Sequence, residues 1–391
     1  MPELARQPPA IAIACGGTGG HLFPGVAVGE QLRARGCDVT LMISPKDVDQ
    51  QAVKSISGME IVTLPAVGWV GMRFAGFCWG FLKSFRVSRA HFRRRRSKCV
   101  LAMGGFTSAP PVLAGRRSGA KTFLHEANSI PGRANRWLAP FVDCAFVYFP
   151  TAAAGLRARR TQVAGMPVRP QFRTPLTARE ARQAIGLSGE SPAMLVMGGS
   201  QGASKLNNLV LEILPQLTEA MPGLQFIHLT GKSDLEKVRA GYSARNVHAE
   251  VHDFYGDMGI ALAAADVALS RAGASSLAEL AARQLPSVLI PYPTAADNHQ
   301  YFNARAFVQS GAARMLQQET ATGGQLAGEI LDLLRDTLKR SSMQRALASW
   351  DTPGAAADIA EKILNWDAES PESARASAMK LKTPRIGVLN C

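Results

Sequence analysis

Glycine-rich turns in this chain are followed by side chains that could carry chemistry. The first turn, GGTGGH, ends in His21, which the pattern places just inside the start of a helix. Imidazole titrates near neutral pH and is the usual general base for a hydroxyl nucleophile. This turn predicts a general base that faces the acceptor site of a cleft, with a purely structural histidine as the alternative.

The second turn, GGSQGAS (Gly198–Ser204), is typical of a diphosphate-binding loop. Ser200 adds a hydroxyl to the free N–H groups of the helix that follows. The turn lacks the GK[ST] ending of a Walker loop and is not a full GxGxxG fingerprint. A tight strand-to-helix connection without a ligand is the alternative.

A third segment, SRAGASSLAEL (Ser270–Leu280), again places small residues at a helix start. Glu279 lies about one turn beyond Ser275 and Ser276, where a carboxylate could accept both hydroxyls of a ribose. An ordinary solvated glutamate is the alternative. The next loop offers side chains for a sugar: Asp297, Asn298, His299, Gln300 and Asn303.

Two more turns in the first half follow predicted strands. They are LAMGGFTSAPP (Leu101–Pro111) and LHEANSIPGRANRWLA (Leu124–Ala139), the second of which carries His125, Glu126 and Asn128. Parallel sheets bind ligands beyond the carboxyl ends of their strands, so we expect these loops to form an acceptor site in a cleft.

Short apolar runs alternate with helical stretches along the chain, which predicts parallel sheets built from βαβ units. Two Gly-rich strand-to-helix turns lie about one domain length apart. This spacing predicts two doubly wound domains, with a boundary at VAGMPVRPQF (Val163–Phe172). The predicted strands are Ala10–Ala14, Val39–Ile43, Ile61–Leu64, Val100–Met103, Thr122–Leu124, Ala145–Tyr148, Ala193–Met197, Gln225–Leu229, Val247–Val251, Val267–Leu269 and Val288–Ile290.

Composition indicates a globular protein that is attracted to polyanions. The 391 residues are 47% hydrophobic and 19% charged, with a formal net charge of +14. The six cysteines form no CxxC pair, so a reducing compartment without disulfides or a zinc site is expected. The N-terminus shows no secretory signal, and charged residues interrupt the one candidate membrane span.

The segment 68–98 mixes tryptophan, phenylalanine and leucine with arginine and lysine. Amphipathic segments of this kind lie in the interface of an anionic membrane. A basic nucleic-acid patch and an ordinary amphipathic core helix are the alternatives, but no nucleic-acid-reading module accompanies the segment.

Together these strings resemble the MurG family, which transfers N-acetylglucosamine (GlcNAc) from UDP-GlcNAc to undecaprenyl-pyrophosphoryl-MurNAc-pentapeptide and so converts lipid I to lipid II. The resemblance spans roughly residues 10–365. Its matching strings are GGTGGHLFPG, MGGFTSAPP, HEANSIPGRAN, GMPVR, GGSQGASKLN, SRAGASSLAEL and PYPTAADNHQYFNA. It implies a GT-B fold, with an acceptor- and membrane-binding domain over 1–165 and a UDP-GlcNAc-binding domain over 166–351. A helix at about 352–367 is expected to return to the first domain, and 368–391 is expected to form a loosely ordered tail.

The resemblance also implies an inverting displacement without metal or other cofactor, with His21 as the first candidate base and Glu126 as the second. Expected donor contacts are Thr18, Gly19, Gly20, Asn128, Arg169, Ser200, Tyr255, Ala274, Ser275, Ser276, Leu277, Ala278, Glu279 and Gln300. Phe106, Ala127 and Asn298 replace the family's common Tyr, Gln and Asp, which bears on the acceptor contacts. The resemblance implies location at the cytoplasmic face of the plasma membrane, no nucleic acid, and contact with cell-wall synthesis proteins.

Two other functions fit parts of this pattern. A GT-B transferase with another lipid acceptor, such as diacylglycerol, would share the donor half. A dinucleotide-dependent oxidoreductase would need a GxGxxG followed about 20 residues later by an acidic residue, and the chain lacks this combination.

Overall fold

Two parallel β-sheets flanked by helices make up the protein in the computed structural model. The structure describes residues 8–46, 49–50, 53, 56–66, 74–199 and 202–366. The predicted contact Ser200 and the predicted tail 368–391 lie outside the described residues.

The first sheet has seven strands in the order β3-β2-β1-β4-β5-β6-β7, all parallel. Helices on both faces bury the central strands, which explains their continuous apolar sequences. The strands are β1 Ala10–Ala14, β2 Asp38–Ile43, β3 Glu60–Thr63, β4 Cys99–Ala102, β5 Lys121–Glu126, β6 Cys144–Val147 and β7 Thr161–Val163. The helices are α1 Gly19–Ala34, α2 Phe74–Arg95, α3 Ala109–Arg117 and α4 Arg133–Leu138.

The second sheet repeats this topology with six strands in the order β10-β9-β8-β11-β12-β13. The strands are β8 Ala193–Met197, β9 Gln225–Leu229, β10 Ala249–His252, β11 Val267–Ser270, β12 Ser287–Leu289 and β13 Arg314–Met315. The helices are α5 Ala178–Ala184, α6 Ser204–Ala220, α7 Leu235–Ser243, α8 Met258–Ala264, α9 Ala274–Arg283, α10 His299–Gln309, α11 Gly323–Arg335 and α12 Thr337–Ala348. Short 3₁₀ turns occupy Ala139–Phe141, Pro150–Gly155, Pro170–Arg173, Lys232–Asp234 and Ala296–Asn298.

The last described helix, α13 (Ala355–Leu364), returns to the first sheet and packs on α1. Ile359 and Ile363 are buried in the core of that domain, and the Trp366 ring meets Phe123 edge-on at 5.2 Å. The first domain therefore completes its core with residues from the end of the chain.

The chain crosses between the domains twice, and the two crossings touch. The Met166 backbone N–H donates to Thr352 Oγ1 at 3.1 Å. Gly165 has a φ of +77°, and a Cβ there would overlap the Thr352 side chain. His125 Nε2 lies 2.8 Å from the Gly165 carbonyl oxygen, and Arg173 forms a two-point ion pair with Asp351 at 2.6 and 2.7 Å.

The predicted fold class is confirmed, and the predicted strands are present with ends shifted by up to two residues. The edge strands Thr161–Val163 and Arg314–Met315 were not predicted, because each is short and no strand residue in them is buried. Chain order reverses between β1 and β4 in one sheet and between β8 and β11 in the other. Ligands of such sheets bind at these reversal points.

Candidate functional site

His21 lies in the first turn of α1, at the reversal point of the first sheet. Its ring lies against Gly104 and Gly105, where a Cβ would be 3.1 Å from a ring nitrogen. Both glycines have positive φ, at +103° and +79°, so the turn after β4 leaves room for the imidazole. Nδ1 is 3.3 Å from Thr18 Oγ1, and no described residue bonds Nε2. Burial lowers the pKa of His21 to about 4, so the ring is neutral and able to accept a proton at pH 7.

Glu126, at the end of β5, is buried, and its carboxylate oxygens are hydrogen-bonded to the segment that follows the strand. Its oxygens accept from the backbone N–H groups of Asn128 at 2.8 Å and Gly132 at 2.9 Å, and from Asn135 Nδ2 at 2.9 Å. Burial raises its pKa, while these hydrogen bonds oppose the rise. The carboxylate shapes the loop between β5 and α4, and its oxygens are less available than His21 Nε2 to a substrate proton.

Asp49 supports the first glycine turn and was not singled out from the sequence. Its Oδ2 accepts from the Gly17 N–H at 2.6 Å and from the Ser44 N–H at 3.2 Å. The side chain is fully buried, and its negative charge opposes the lowering of the His21 pKa. A lone aspartate 32 residues from its partner gives no local signal in the sequence.

The second glycine turn follows β8 at the reversal point of the second sheet. Gly199 and Gly202 have φ of +92° and +75°. A Cβ on Gly202 would overlap the Thr230 carbonyl oxygen, and a Cβ on Gly198 would lie 2.6 Å from the Ala203 Cβ. Glycine is therefore required for the turn to enter α6, the geometry that suits an approaching phosphate.

Helix α9 points its N-terminus at the first domain. Its N-cap residue is Gly273, which has no side chain to bond the first N–H groups of the helix. Ser275 Oγ donates to the Gly20 carbonyl at 3.3 Å, directly across the domain interface. The predicted contacts Thr18–Gly20 and Ala274–Ser276 therefore face each other across one cleft.

Glu279 and Arg169 lie together deeper in this cleft. They line a narrow cavity with Phe23, Phe172 and Ser275. Burial raises the pKa of Glu279 to about 7, and the positive charge of Arg169 opposes the rise. The Arg169 guanidinium stacks over the Phe23 ring at 4.1 Å, while its buried Nε has no hydrogen-bond partner. Arg169 thus favours the ionised form of Glu279 in surroundings that penalise charge.

Gln300 holds the loop that leads into α9. Its Oε1 accepts from the backbone N–H groups of Ala272 at 3.2 Å and Tyr292 at 2.9 Å. Because these two donors fix the oxygen, the amide nitrogen of Gln300 is the group that remains for a ligand.

Asn303 joins the two domains instead of pointing at a sugar. It is completely buried, and its Oδ1 accepts from Ser129 N at 2.8 Å and Ser129 Oγ at 2.9 Å. Its Nδ2 donates to Asn128 Oδ1 at 3.1 Å and to the Ala272 carbonyl at 3.2 Å. The loop after β5 is thus tied to the start of α9.

The remaining predicted contacts differ in position. Leu277 and Ala278 are buried in the second-domain core, so only their backbone could contact a ligand. Tyr255 lies just after β10 with its ring 5.0 Å from that of His252, and it packs against the core of the second domain.

An apolar surface ringed by arginines covers α2, α3 and the end of α4. Trp79 is 56% exposed and Leu82 49%, and Trp137, at 52%, packs its ring 5.6 Å from that of Phe141. A groove between α2 and α3 continues this surface; its lining is Phe81, Leu82, Phe85, Leu113, Arg116, Arg117 and Phe141. No helix in the described part of the chain is both long and apolar enough to span a bilayer. No group of three or more His, Cys, Asp or Glu residues suited to a metal occurs among the described residues.

Comparison with known proteins gives a consistent family. The glycosyltransferase family 28 N-terminal domain matches residues 11–147, and the family 28 C-terminal domain matches residues 193–363. A relative from Anaeromyxobacter sp. (strain Fw109-5) is 37% identical over 356 residues, covering 90% of this chain and 92% of the relative. A relative from Myxococcus xanthus (strain DK1622) is 34% identical over 388 residues, covering 96% of this chain and 98% of the relative. Both are named UDP-N-acetylglucosamine--N-acetylmuramyl-(pentapeptide) pyrophosphoryl-undecaprenol N-acetylglucosamine transferase.

Solved structures agree with this family. MurG from Acinetobacter baumannii matches with a TM-score of 0.72 at 26% identity, covering 92% of this chain and all of that chain. A UDP-N-acetylglucosamine 2-epimerase matches with a TM-score of 0.70 at 12% identity, over 93% of this chain and 97% of that chain, and so shares the fold alone. The two facing sheets form a GT-B fold, and the chain belongs to the MurG family within glycosyltransferase family 28.

Proposed function

We propose that this protein is an inverting glycosyltransferase of peptidoglycan biosynthesis. It moves GlcNAc from UDP-GlcNAc to the 4-hydroxyl of the MurNAc unit in undecaprenyl-pyrophosphoryl-MurNAc-pentapeptide. One observation carries the proposal beyond family membership. The hydrogen bond from Ser275 to Gly20 brings the open N-terminus of α9 next to the turn that carries His21.

His21 acts as the base in this proposal. Its Nε2 is open, whereas the oxygens of Glu126 are occupied by the loop. Nε2 takes the proton of the 4-hydroxyl as that oxygen bonds to the anomeric carbon of GlcNAc. The bond from the anomeric carbon to the diphosphate oxygen breaks, and UDP leaves with the electron pair. Configuration inverts because the displacement is single.

The leaving diphosphate lies between helix N-termini. Free N–H groups of α9 and the backbone of Gly198, Gly199 and Gly202 are suited to its negative charge, and Ser200 remains a contact predicted from the sequence. Thr18, Gly19 and Gly20 approach the donor from the opposite wall, with Asn128 beside them.

Recognition of the nucleoside falls to the second domain. Glu279 accepts hydrogen bonds from the ribose hydroxyls, and Arg169 balances its charge. Tyr255 lies at the end of the site that binds uracil. The Gln300 amide nitrogen and the backbone of Ala274–Ala278 contact the sugar and phosphates.

Phe106 lies at the acceptor side of this cleft. Its ring would be 3.4 Å from a Cβ on Gly17, and Lys46 Nζ is 5.2 Å from the ring centre. The hydroxyl that the family commonly places here is missing, so acceptor binding relies on the backbone and on the lysine.

The apolar, arginine-ringed surface supports attachment to the cytoplasmic face of the plasma membrane. Half-exposed tryptophans enter the interface, and the surrounding cations attract anionic lipid. The same surface belongs to the acceptor domain, taken as residues 1–165, which lets the enzyme reach a lipid-linked sugar. Residues 166–351 form the donor domain, and other cell-wall synthesis proteins are candidate neighbours at this membrane.

The deciding experiment is transfer of labelled GlcNAc from UDP-GlcNAc to a short-chain lipid I analogue, with EDTA present and with diacylglycerol as a second acceptor. Product on the analogue alone supports the proposal, and its formation in EDTA supports a reaction without metal. Donor binding without product on the analogue would refute the acceptor assignment. Product on diacylglycerol would favour a glycolipid-forming transferase.

A further inference from the structure

Two arginines of α4 converge on one carboxylate of the opposite domain. Arg133 Nη2 lies 3.5 Å from Asp297 Oδ1, and Arg136 pairs with Asp297 Oδ2. Residues three apart share one face of a helix, so both guanidiniums reach the same carboxylate across the domain interface. Their side chains are 81% and 42% exposed, and an exposed pair of this kind contributes little to stability. The carboxylate can therefore be exchanged for another anion at small cost.

The opposite side of α4 is fixed beside the base. Asn135 is buried and donates to Glu126 Oε2 at 2.9 Å and to the His125 carbonyl at 3.1 Å. A Cβ on Gly104 would contact both Asn135 Nδ2, at 3.5 Å, and His21 Nε2, at 3.1 Å. The helix is thus held at the edge of the reaction site.

The end of α4 reaches the apolar surface. Trp137, next to Arg136, is half-exposed and packs on Phe141, which also lines the groove between α2 and α3. One short helix therefore connects the base, the two guanidiniums and the surface that faces lipid.

We infer that Arg133 and Arg136 bind the diphosphate of the membrane-anchored acceptor. This inference rests on the proposed function. The diphosphate of such an acceptor lies on the opposite side of the sugar ring from the reacting 4-hydroxyl, and the polyprenyl chain continues from it into the membrane. With the hydroxyl at His21 and the chain at the apolar surface, the diphosphate falls along α4. Guanidinium groups bind phosphate oxygens in pairs, and Asp297 occupies them until the acceptor diphosphate displaces it.

The test is acceptor kinetics with a short-chain lipid I analogue in neutral detergent, without anionic lipid. The double variant R133Q/R136Q should raise KM for the acceptor about tenfold or more, because charge-assisted contacts to phosphate are lost. KM for UDP-GlcNAc should stay within about twofold, which also reports an intact fold. D297N should leave acceptor KM at or below the wild-type value, since it removes the competing carboxylate.

R179Q is the matched control, because Arg179 makes an exposed ion pair with Glu190 at 3.0 Å in the second domain. It should leave both KM values unchanged. An unchanged acceptor KM in R133Q/R136Q would overturn the inference, even if binding to anionic vesicles weakened, since the arginines would then serve lipid headgroups. A rise in D297N equal to that of the double variant would also overturn it, by showing that the ion pair itself is needed. Absence of transfer by the wild type would instead refute the proposed function.

Discussion

The affinity for UDP-GlcNAc should fall about tenfold when the pH is lowered from 8 to 6. In the proposed donor site, the ribose hydroxyls donate to the ionised form of Glu279, so binding requires the carboxylate. With a pKa of about 7, Glu279 is ionised in about nine tenths of free molecules at pH 8 and about one tenth at pH 6. The ratio of these populations gives the change in the dissociation constant.

Isothermal titration calorimetry at constant ionic strength measures this change. UDP-GlcNAc is a suitable ligand because its diphosphate is esterified at both ends and does not titrate in this range. E279Q should bind more weakly at pH 8, by about tenfold or more, and should lose the dependence on pH. E190Q, at a carboxylate that is 77% exposed and ion-paired in the second domain, should keep the wild-type dependence. A flat wild-type profile, or an E279Q profile with the wild-type slope, would refute the assignment of this titration to Glu279.

The raised pKa of Glu279 also affects the stability of the unliganded protein. The pKa of Glu279 is higher in the folded chain than its ordinary value of 4.5, so the folded state holds more protons between these values. The free energy of unfolding therefore decreases as pH rises from about 4.5 to 7. E279Q should be more stable than the wild type at pH 8, on the order of 1–3 kcal/mol, because the partly exposed carboxylate keeps some contact with water. Urea unfolding measures this difference, and a less stable E279Q would contradict the reasoning.

Three further perturbations test other parts of the site. H21A should reduce kcat by about 10²–10⁴ through loss of the base, with UDP-GlcNAc affinity retained; near-normal turnover without dependence on pH would remove His21 from that role. N303A should lower the free energy of unfolding by about 2–4 kcal/mol, because it leaves buried polar groups on both domains without hydrogen-bond partners. S129A should lower the free energy of unfolding by about 1 kcal/mol. Equal urea midpoints for N303A and the wild type would show that this junction is not stabilising. W79S/L82S should weaken sedimentation with anionic vesicles on the order of tenfold while leaving UDP-GlcNAc binding unchanged, and equal sedimentation would locate the membrane contact elsewhere.

Strands with fully apolar sequences were predictable because burial on both faces leaves no ambiguity, as in Ala10–Ala14 and Ala193–Met197. The two-residue edge strand Arg314–Met315 was not, because an edge position needs neither length nor continuous hydrophobicity. The glycine turns were predictable from local chemistry, since positive φ and close backbone approach both demand glycine.

Long-range partners were beyond local reasoning. Nothing around Asp49 signals that it holds Gly17, and nothing in PYPTAADNHQYFNA distinguishes the buried Asn303 from the neighbouring, partly exposed Gln300. The roles of Asp49 and Asn303 depend on elements that meet only after folding. Side-chain type and spacing identify which groups could bind a ligand, but the packing of the two domains decides which of them remain free to do so.

The return of α13 to the first domain has a consequence for the order of events on the ribosome. A nascent chain exposes its N-terminal sheet first, yet Ile359 and Ile363 complete the core beneath α1. During synthesis the apolar groove beneath α1 therefore stays open while the whole second domain is made. That groove closes only after Ala355–Leu364 has been synthesised, so the first domain becomes fully stable only when the second domain is already present.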